Sequence, residues 1–428
     1  MKKIYLIGLS LIGFQLAADA QTPCDAGRYS TEIFTAVNVT SAVNYGQNTT
    51  FSGANQNLVM DIYQPTGDTE TARPLIIWVH GGSFIGGSKS DADVVALSQQ
   101  FAKRGFVCAS IEYRVGMWPI DSVNAIKAVI RAVHDSKAAT RFFYKDRATA
   151  NAYKIDTANI FIGGSSAGAV TSLHHAYFDQ ECEIEPFISL STLASLGGID
   201  GNSGNAGYST EVHGVINLCG AMASYAFMEP GDVPICSMHG NEDGTVPYNR
   251  GQASVSGFSI MYLDGSRVID EQANVIGVQS NFYTYTNGGH VPYYGNTAYM
   301  DTTVAFISDF LVDLLGCSIT PTMPENTPLQ TVNLYTPFIC GLGINDNQAE
   351  WNVNIYPNPS ENQMTLSFKN GALIENVEVI DLAGRSVKTV ELTSNQFTLS
   401  KSDIGTGTFI VKITSQTGVV TSRRVVFQ

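Results

Sequence analysis

Ile160-Phe161-Ile162-Gly163-Gly164-Ser165-Ser166-Ala167-Gly168-Ala169-Val170 decides the fold. The apolar run at its start is too short for a buried helix and suits a strand covered on both faces. Gly164-Ser165-Ser166-Ala167-Gly168 follows in the pattern G-x-S-x-G. Ala169, Val170, Leu173 and Ala176 then recur at helical spacing. Strand, tight turn and helix together force Ser166 into a strained conformation that lifts its hydroxyl above the sheet edge. The helix N-terminus beneath it favours developing negative charge. Small residues flank the serine because the backbone passes close to the next helix.

Outward from this turn, strand-like and helix-like runs alternate from about residue 57 to residue 316. Leu75 to Val79, Phe106 to Ile111, Val215 to Leu218 and Val233 to Cys236 read as further buried strands. Val123, Ile126, Val129, Ile130 and Val133 mark one amphipathic helix. Val94, Leu97 and Phe101 mark a second, and Thr302 to Leu315 a third. Alternation of this kind implies an α/β class with a mostly parallel sheet covered by helices.

Upstream, His80-Gly81-Gly82-Ser83-Phe84 follows the strand ending at Val79. Glycines there let backbone N–H groups approach an oxyanion. Gly82 and Ser83 are the expected donors, with Ala167, the residue after the nucleophile. Ser83 has less conformational freedom than a glycine would. Downstream, an elbow of this kind takes its acid and then its histidine in chain order. Of seven histidines only His213, His239 and His290 lie beyond the helix after Ser166, and only His290 lies beyond Asp243. His290 sits in a turn-rich loop after the strand-like Phe282 to Tyr285, where a base belongs. Asp243, in His239-Gly240-Asn241-Glu242-Asp243-Gly244-Thr245-Val246-Pro247, is the expected orienter of the imidazole. Glu242 is its rival, and His239 is expected to pack the turn.

The net charge of −14 disfavours nucleic acid and anionic lipid as partners. Lys2 and Lys3, the apolar run from Ile4 to Leu16, and Ala18-Asp19-Ala20 read as a cleaved signal peptide over 1–20. No later stretch is long and apolar enough to span a membrane, so none is expected in the mature protein. Cys108, Cys219 and Cys236 sit in apolar strand-like runs and read as buried thiols. Cys24, Cys182, Cys317 and Cys340 lie in loop-like sequence and read as disulfide candidates, whose pairing sequence does not choose. No Cys-x-x-Cys pair or His/Cys cluster suggests a metal.

Composition divides the rest. A body over 21–318 is followed by a linker over 319–350, rich in Pro, Thr and Asn. Residues 351–428 turn all-β: Met364, Leu366 and Phe368 alternate with polar residues, as do Phe409, Val411 and Ile413. A small β-sandwich is the expected form.

Taken together, the HGGSF segment, Glu112-Tyr113-Arg114, the Asp135 to Arg141 stretch, GSSAG, HGNEDGTVP and GGHVP resemble the α/β-hydrolase family, in its carboxylesterase and feruloyl-esterase-like branch. The resemblance covers about residues 57 to 316. It implies the α/β-hydrolase fold and hydrolysis of carboxylic esters without a cofactor, with Tyr113-Arg114 and Asp135 with Arg141 supporting the fold. Tyr356-Pro357-Asn358-Pro359-Ser360, Asp381-Leu382-Ala383-Gly384-Arg385, Gly407 to Lys412 and the basic end from Arg423 resemble the type IX secretion sorting domain of Bacteroidetes. That resemblance implies export through the type IX machinery and a secreted or cell-surface location.

The insertion from Glu181 to Thr210 is rich in Gly, Ser and Asn and reads as a mobile loop. The expected cleft is therefore lightly capped, open to bulky or polymeric esters, and lined by Phe84, Trp118 and Tyr293. Secretion directs attention to extracellular substrates such as acetylated or feruloylated polysaccharide, lipid or polyester. Two other readings stand beside this one: a peptidase on the same fold, and a hydrolase-like binding protein without catalysis.

Overall fold

The computed structural model describes residue 24, residues 27–317 and 320–327, scattered positions of 332–340, and most of 353–428. The signal-peptide reading over 1–20 lies outside the described residues. The chain divides into two compact units, Met1–Phe338 and Ile339–Gln428.

The first unit is built on one eight-stranded sheet. Its strands are β1 (Val37–Thr49), β2 (Asn55–Pro65), β3 (Arg73–Val79), β4 (Val107–Ile111), β5 (Ile155–Ser165), β6 (Val215–Leu218), β7 (Ile235–Gly240) and β8 (Ser280–Tyr285), in spatial order β1-β2-β4-β3-β5-β6-β7-β8. The β1/β2 and β2/β4 pairs are antiparallel and every other pair is parallel. β3 is buried along its whole length. Its side chains alternate between faces: Leu75, Ile77 and Val79 join one apolar cluster, and Ile76 and Trp78 join the other. Helices α2 (Ser122–Ala148), α3 (Ala167–Tyr177) and α5 (Ser266–Ile276) pack into the first cluster. Helices α1 (Ala92–Lys103) and α6 (Thr297–Leu314) pack into the second. This is the α/β-hydrolase fold.

Cys24 is bonded to Cys317 across 293 residues, which ties the start of the unit to the end of α6. Cys182 and Cys340 are also disulfide-bonded, while Cys108, Cys219 and Cys236 are free and buried. Part of the expected linker lies on this unit. Asn326 pairs with Thr284 through both its carbonyl and its side chain, so it covers the edge strand β8. The Tyr335 hydroxyl donates to Asp264, and Arg250 lies 3.9 Å over the Tyr335 ring.

The Glu181–Thr210 insertion is ordered, which corrects the mobile-loop expectation. It contains helix α4 (Leu190–Leu196), and buried polar groups pin its glycine-rich end. Arg114 forks onto Asp135 at 2.8–3.0 Å, and the Ser203 hydroxyl donates to the same carboxylate at 2.6 Å. Arg141 does not pair with Asp135; it holds the Gly204 and Asp200 carbonyls. Gly201 serves close packing rather than motion, because a Cβ there would enter the His134 ring. The Arg114 and Asp135 side chains are 4% and 0% exposed. Asp135→Ala would leave a buried guanidinium without its counter-charge. We expect a loss of about 3–5 kcal/mol, seen as a lowered melting transition of this unit. An unchanged transition would contradict the pinning role.

Glu183 in the same insertion accepts the N–H groups of Asp179 and Gln180. Burial pushes its carboxyl up to about 8. Unfolded, it ionises near pH 4.5; folded, it stays protonated until about pH 8. Its ionisation therefore costs stability progressively as pH rises through that window. Glu183→Gln should melt at the same temperature as the parent below pH 4.5 and above it at pH 8.5. A constant offset between the two would refute the linkage.

The second unit holds two antiparallel sheets. Strands β9 (Val353–Tyr356), β10 (Gln363–Phe368) and β13 (Gln396–Ser400) form one, in the order β9-β10-β13. Strands β11 (Ile374–Asp381), β12 (Ser386–Glu391), β14 (Gly407–Ser415) and β15 (Val420–Phe427) form the other, in the order β12-β11-β14-β15. Met364, Leu366, Phe409, Val411 and Ile413 lie in the shared core, as their alternation requires.

Candidate active site

Ser166 stands between the end of β5 and the start of α3, at φ 55° and ψ −118°. Such a backbone costs a non-glycine residue of order 1–3 kcal/mol and holds only where the surroundings over-determine it. They do here: the Ser166 N–H donates to the Leu218 carbonyl and its own carbonyl accepts from Val170. A Cβ on Gly164 or Gly168 would collide with the Val79 carbonyl oxygen, so both glycines let β5 and α3 lie against the end of β3. The strand-turn-helix thus fixes where the hydroxyl points.

The other loops close around it. The Gly82–Phe84 turn has left-handed backbone at all three positions, Gly82 at φ 112°, Ser83 at 53° and Phe84 at 60°. The Gly82 carbonyl accepts from Ile85 and Gly86, which locks the turn. A Cβ on Gly81 would sit 3.5 Å from the Ser166 Cβ, so this loop abuts the serine. Tyr113 holds it from behind, stacking on His80 at 4.2 Å and donating to the His80 carbonyl at 3.1 Å. Ala167 heads α3, where an N–H has no partner within the helix.

The loops after β7 and β8 are stitched to each other. Glu242 N–H donates to the Gly288 carbonyl and Asn287 N–H to the Asn241 side chain. A Cβ on Gly240 would strike the Gly288 and Gly289 carbonyls. This close seam brings His290 to Asp243. His290 Nδ1 lies 2.6 Å from Asp243 Oδ2, and His290 Nε2 lies 2.9 Å from Ser166 Oγ. Asp243 Oδ1 accepts the N–H groups of Thr245 and Val246. The Asp243 side chain is fully buried, whereas the rival Glu242 is exposed. Burial pushes the Asp243 carboxyl up, but hydrogen bonds from His239 and His290 outweigh it and hold it well below the usual carboxylate range.

His239 does more than pack the turn. Its Nε2 lies 3.1 Å from Asp243 Oδ2 and 3.2 Å from the Val246 carbonyl. Both are acceptors, so that nitrogen carries the proton. Its Nδ1 meets the Ser266 hydroxyl at 2.7 Å, which is itself bonded to Asn217. A second imidazole therefore donates to the acid. The sequence signal for it was His239-Gly240 at the end of a strand, four residues before the acid.

Two expected lining residues are corrected. Trp118 is 75% exposed and lies outside the pocket beside Ser166. Tyr293 is fully buried and donates to Ser165 Oγ at 2.6 Å, bracing the elbow from below. Its neighbour His290 faces the serine, and the intervening turn through Val291 sends the Tyr293 ring the other way. Phe84 does line the pocket. Among the described residues, the ligand atoms of Cys219, His239 and Asp243 lie within 4.8 Å of one another. They make a poor metal site: burial pushes the Cys219 thiol up to about 12, and the histidine and carboxylate already bond each other.

Residues 60–222 match the BD-FAE family model. The first unit, with its α/β-hydrolase fold, carries this match to BD-FAE. That match spans the Gly82–Phe84 turn and the Ser166 elbow, and ends before Asp243 and His290. Residues 354–428 match the secretion system C-terminal sorting domain. A chain with this tail is a secreted or cell-surface protein, and no helix among the described residues is long and apolar enough to cross a membrane.

The chain is 31% identical over 115 residues to carboxylesterase 1C of Rattus norvegicus, covering 27% of this chain and 20% of that one. It is 30% identical over 145 residues to liver carboxylesterase 1 of Oryctolagus cuniculus, covering 33% and 23%. The aligned part thus spans about a fifth of those relatives' length. Among solved structures, the apo form of Thermogutta terrifontis esterase 2 aligns at a TM-score of 0.48 and 19% identity, over 67% of this chain and 98% of that one. A truncated carbohydrate esterase from gut microbiota aligns at 0.45 and 20%, over 65% and 96%.

Proposed function

We propose that this protein is a secreted carboxylic ester hydrolase that works through an acyl-enzyme on Ser166. The observation that carries the reading is the hydrogen-bond chain Ser166–His290–Asp243, at 2.9 and 2.6 Å, on a strained elbow. The Asp243 carboxylate faces His290 Nδ1 and so keeps the proton there. Nε2 is left free to accept from the serine. Ser166 Oγ attacks the ester carbonyl as its proton passes to His290 Nε2. The former carbonyl oxygen becomes an oxyanion, held by the N–H groups of Gly82, Ser83 and Ala167. His290 then gives its proton to the departing alcohol as the C–O bond breaks. Water attacks the acyl-serine, losing its proton to His290, which returns it to Ser166 as the acid leaves. No step calls for a cofactor. The sorting tail would deliver the enzyme to the type IX machinery and so to extracellular esters.

The test is a parallel assay with p-nitrophenyl esters and aminoacyl anilides on the purified full chain. Ester turnover at least a hundredfold above amide turnover is expected. Amide turnover without ester turnover would make it a peptidase, and neither, with no active-site adduct, would make it a binding protein.

A further inference from the structure

The pocket beside Ser166 is walled on several sides and mainly apolar, and it is partly open to solvent. Three separate pieces of chain wall it. Helix α2 supplies Ile126, Val129 and Val133. The ordered insertion supplies Ile184 and Phe187. A hairpin, Arg250–Val255 with Phe258–Gly265, lays Val255 and Ile260 across the remaining side. The Ser122 hydroxyl donates to the Ile260 carbonyl at 2.6 Å, which fastens the hairpin to the start of α2. Among the described residues, no Asp, Glu, Lys or Arg lines the cavity.

The one titratable ring in the wall has nothing to offer a ligand. His174 Nδ1 donates to the Val170 carbonyl at 2.7 Å, and its Nε2 accepts the Ala223 N–H at 3.2 Å. Burial holds it uncharged, near 4. A phenol or sugar hydroxyl entering here would lose its water against a mainly apolar wall, whose polar side chains besides Ser166 and His174 are the hydroxyls of Ser83, Thr245 and Ser254. The cavity measures about 110 Å³. An apolar cavity of ~150 Å³ takes benzene's six carbons. This one therefore has room for roughly four carbons beyond the reacting carbonyl within its walls.

Which half of the ester enters follows from the proton. His290 must reach the leaving oxygen, so the alcohol lies on the His290 side. Ser166 and Ala167 line the pocket, whereas His290 does not. The geometry points to this pocket as an acyl-chain site that selects aliphatic acyl groups of about four to six carbons. The inference rests on the esterase reading above and narrows its substrate class.

Two ester series on the full chain test it. In the first, the acyl group of p-nitrophenyl esters runs from acetate to decanoate. In the second, the alcohol of butanoate esters runs from methyl to hexyl. Burial of a methylene is worth about fourfold, so kcat/KM should rise ~15-fold from acetate to butanoate, peak by hexanoate and fall by decanoate. The alcohol series should stay within about threefold. Val129→Phe fills the chamber and should bring the butanoate-to-acetate ratio to about one. A flat or falling acyl series, or a steeper alcohol series, overturns the acyl site while leaving the esterase intact. So does a ratio that survives Val129→Phe. If that variant does not fold, the parent's two series decide alone. Failure to hydrolyse any ester in either series removes the esterase reading itself.

Discussion

Ser166→Ala should cut kcat for a p-nitrophenyl ester by about 10⁴- to 10⁶-fold while leaving the melting temperature within a few degrees. The loss is large because the hydroxyl is the atom that forms the acyl bond. Residual turnover would come from the oxyanion donors and binding, which the variant keeps. Fold should survive because the elbow is imposed from outside the residue, by the Leu218 and Val170 hydrogen bonds and by two glycines pressed against Val79. Steady-state kinetics with a melting curve on the same preparation checks both halves. Activity within tenfold of the parent would place the nucleophile elsewhere.

Asp243→Asn carries the next largest expected effect, about 10⁴-fold in kcat, and the reason is donor geometry. Oδ1 receives two backbone N–H groups, and Oδ2 receives two imidazoles. An asparagine presents one oxygen and one NH₂. Turned with its NH₂ toward Thr245 and Val246, it opposes donors that cannot change. Turned the other way, it opposes His290 Nδ1, which can bond only by giving up its proton. The proton then moves to Nε2, and His290 can no longer accept from Ser166. Rate at saturating ester is the measurement, with substrate affinity expected to stay within a few-fold. A loss under tenfold would mean that the carboxylate does not set the tautomer.

The parts legible in the sequence were those whose chemistry sits within a few neighbouring residues. The elbow, the His80–Phe84 turn and the two loops bearing Asp243 and His290 all announce themselves by glycines that close backbone approaches require. The runs of β3 to β6 were equally plain, because both faces of the sheet are covered there and the strands read as largely apolar runs. Strand β1 left no such trace. On this sheet edge Val37, Val39, Val43 and Tyr45 alternate with polar residues, but an irregularity between Thr40 and Val43 breaks the alternation and most of the side chains are exposed or half-buried.

Long-range polar contacts were the main thing hidden. Gly201 and Gly204 looked like signs of motion, yet they allow the insertion to lie against His134 and Tyr45. The partners that pin it, Arg114, Asp135 and Arg141, are 59 to 89 residues away in sequence. That error carried through to the cleft: an ordered insertion makes a walled pocket, and Trp118 and Tyr293 drop out of it. His239 was underrated for a related reason. Its role depends on a buried chain through Ser266 and Asn217 that no local pattern reveals.

Ester hydrolysis here depends on one serine being made nucleophilic by the histidine beside it. Treating the full-length protein with a fluorophosphonate and mapping the adduct by peptide mass spectrometry tests this directly. The predicted result is a single phosphonylated peptide with the mass shift on Ser166, fluoride displaced, and no adduct in a His290→Ala preparation. A folded, unlabelled protein, or an adduct on another residue, contradicts it.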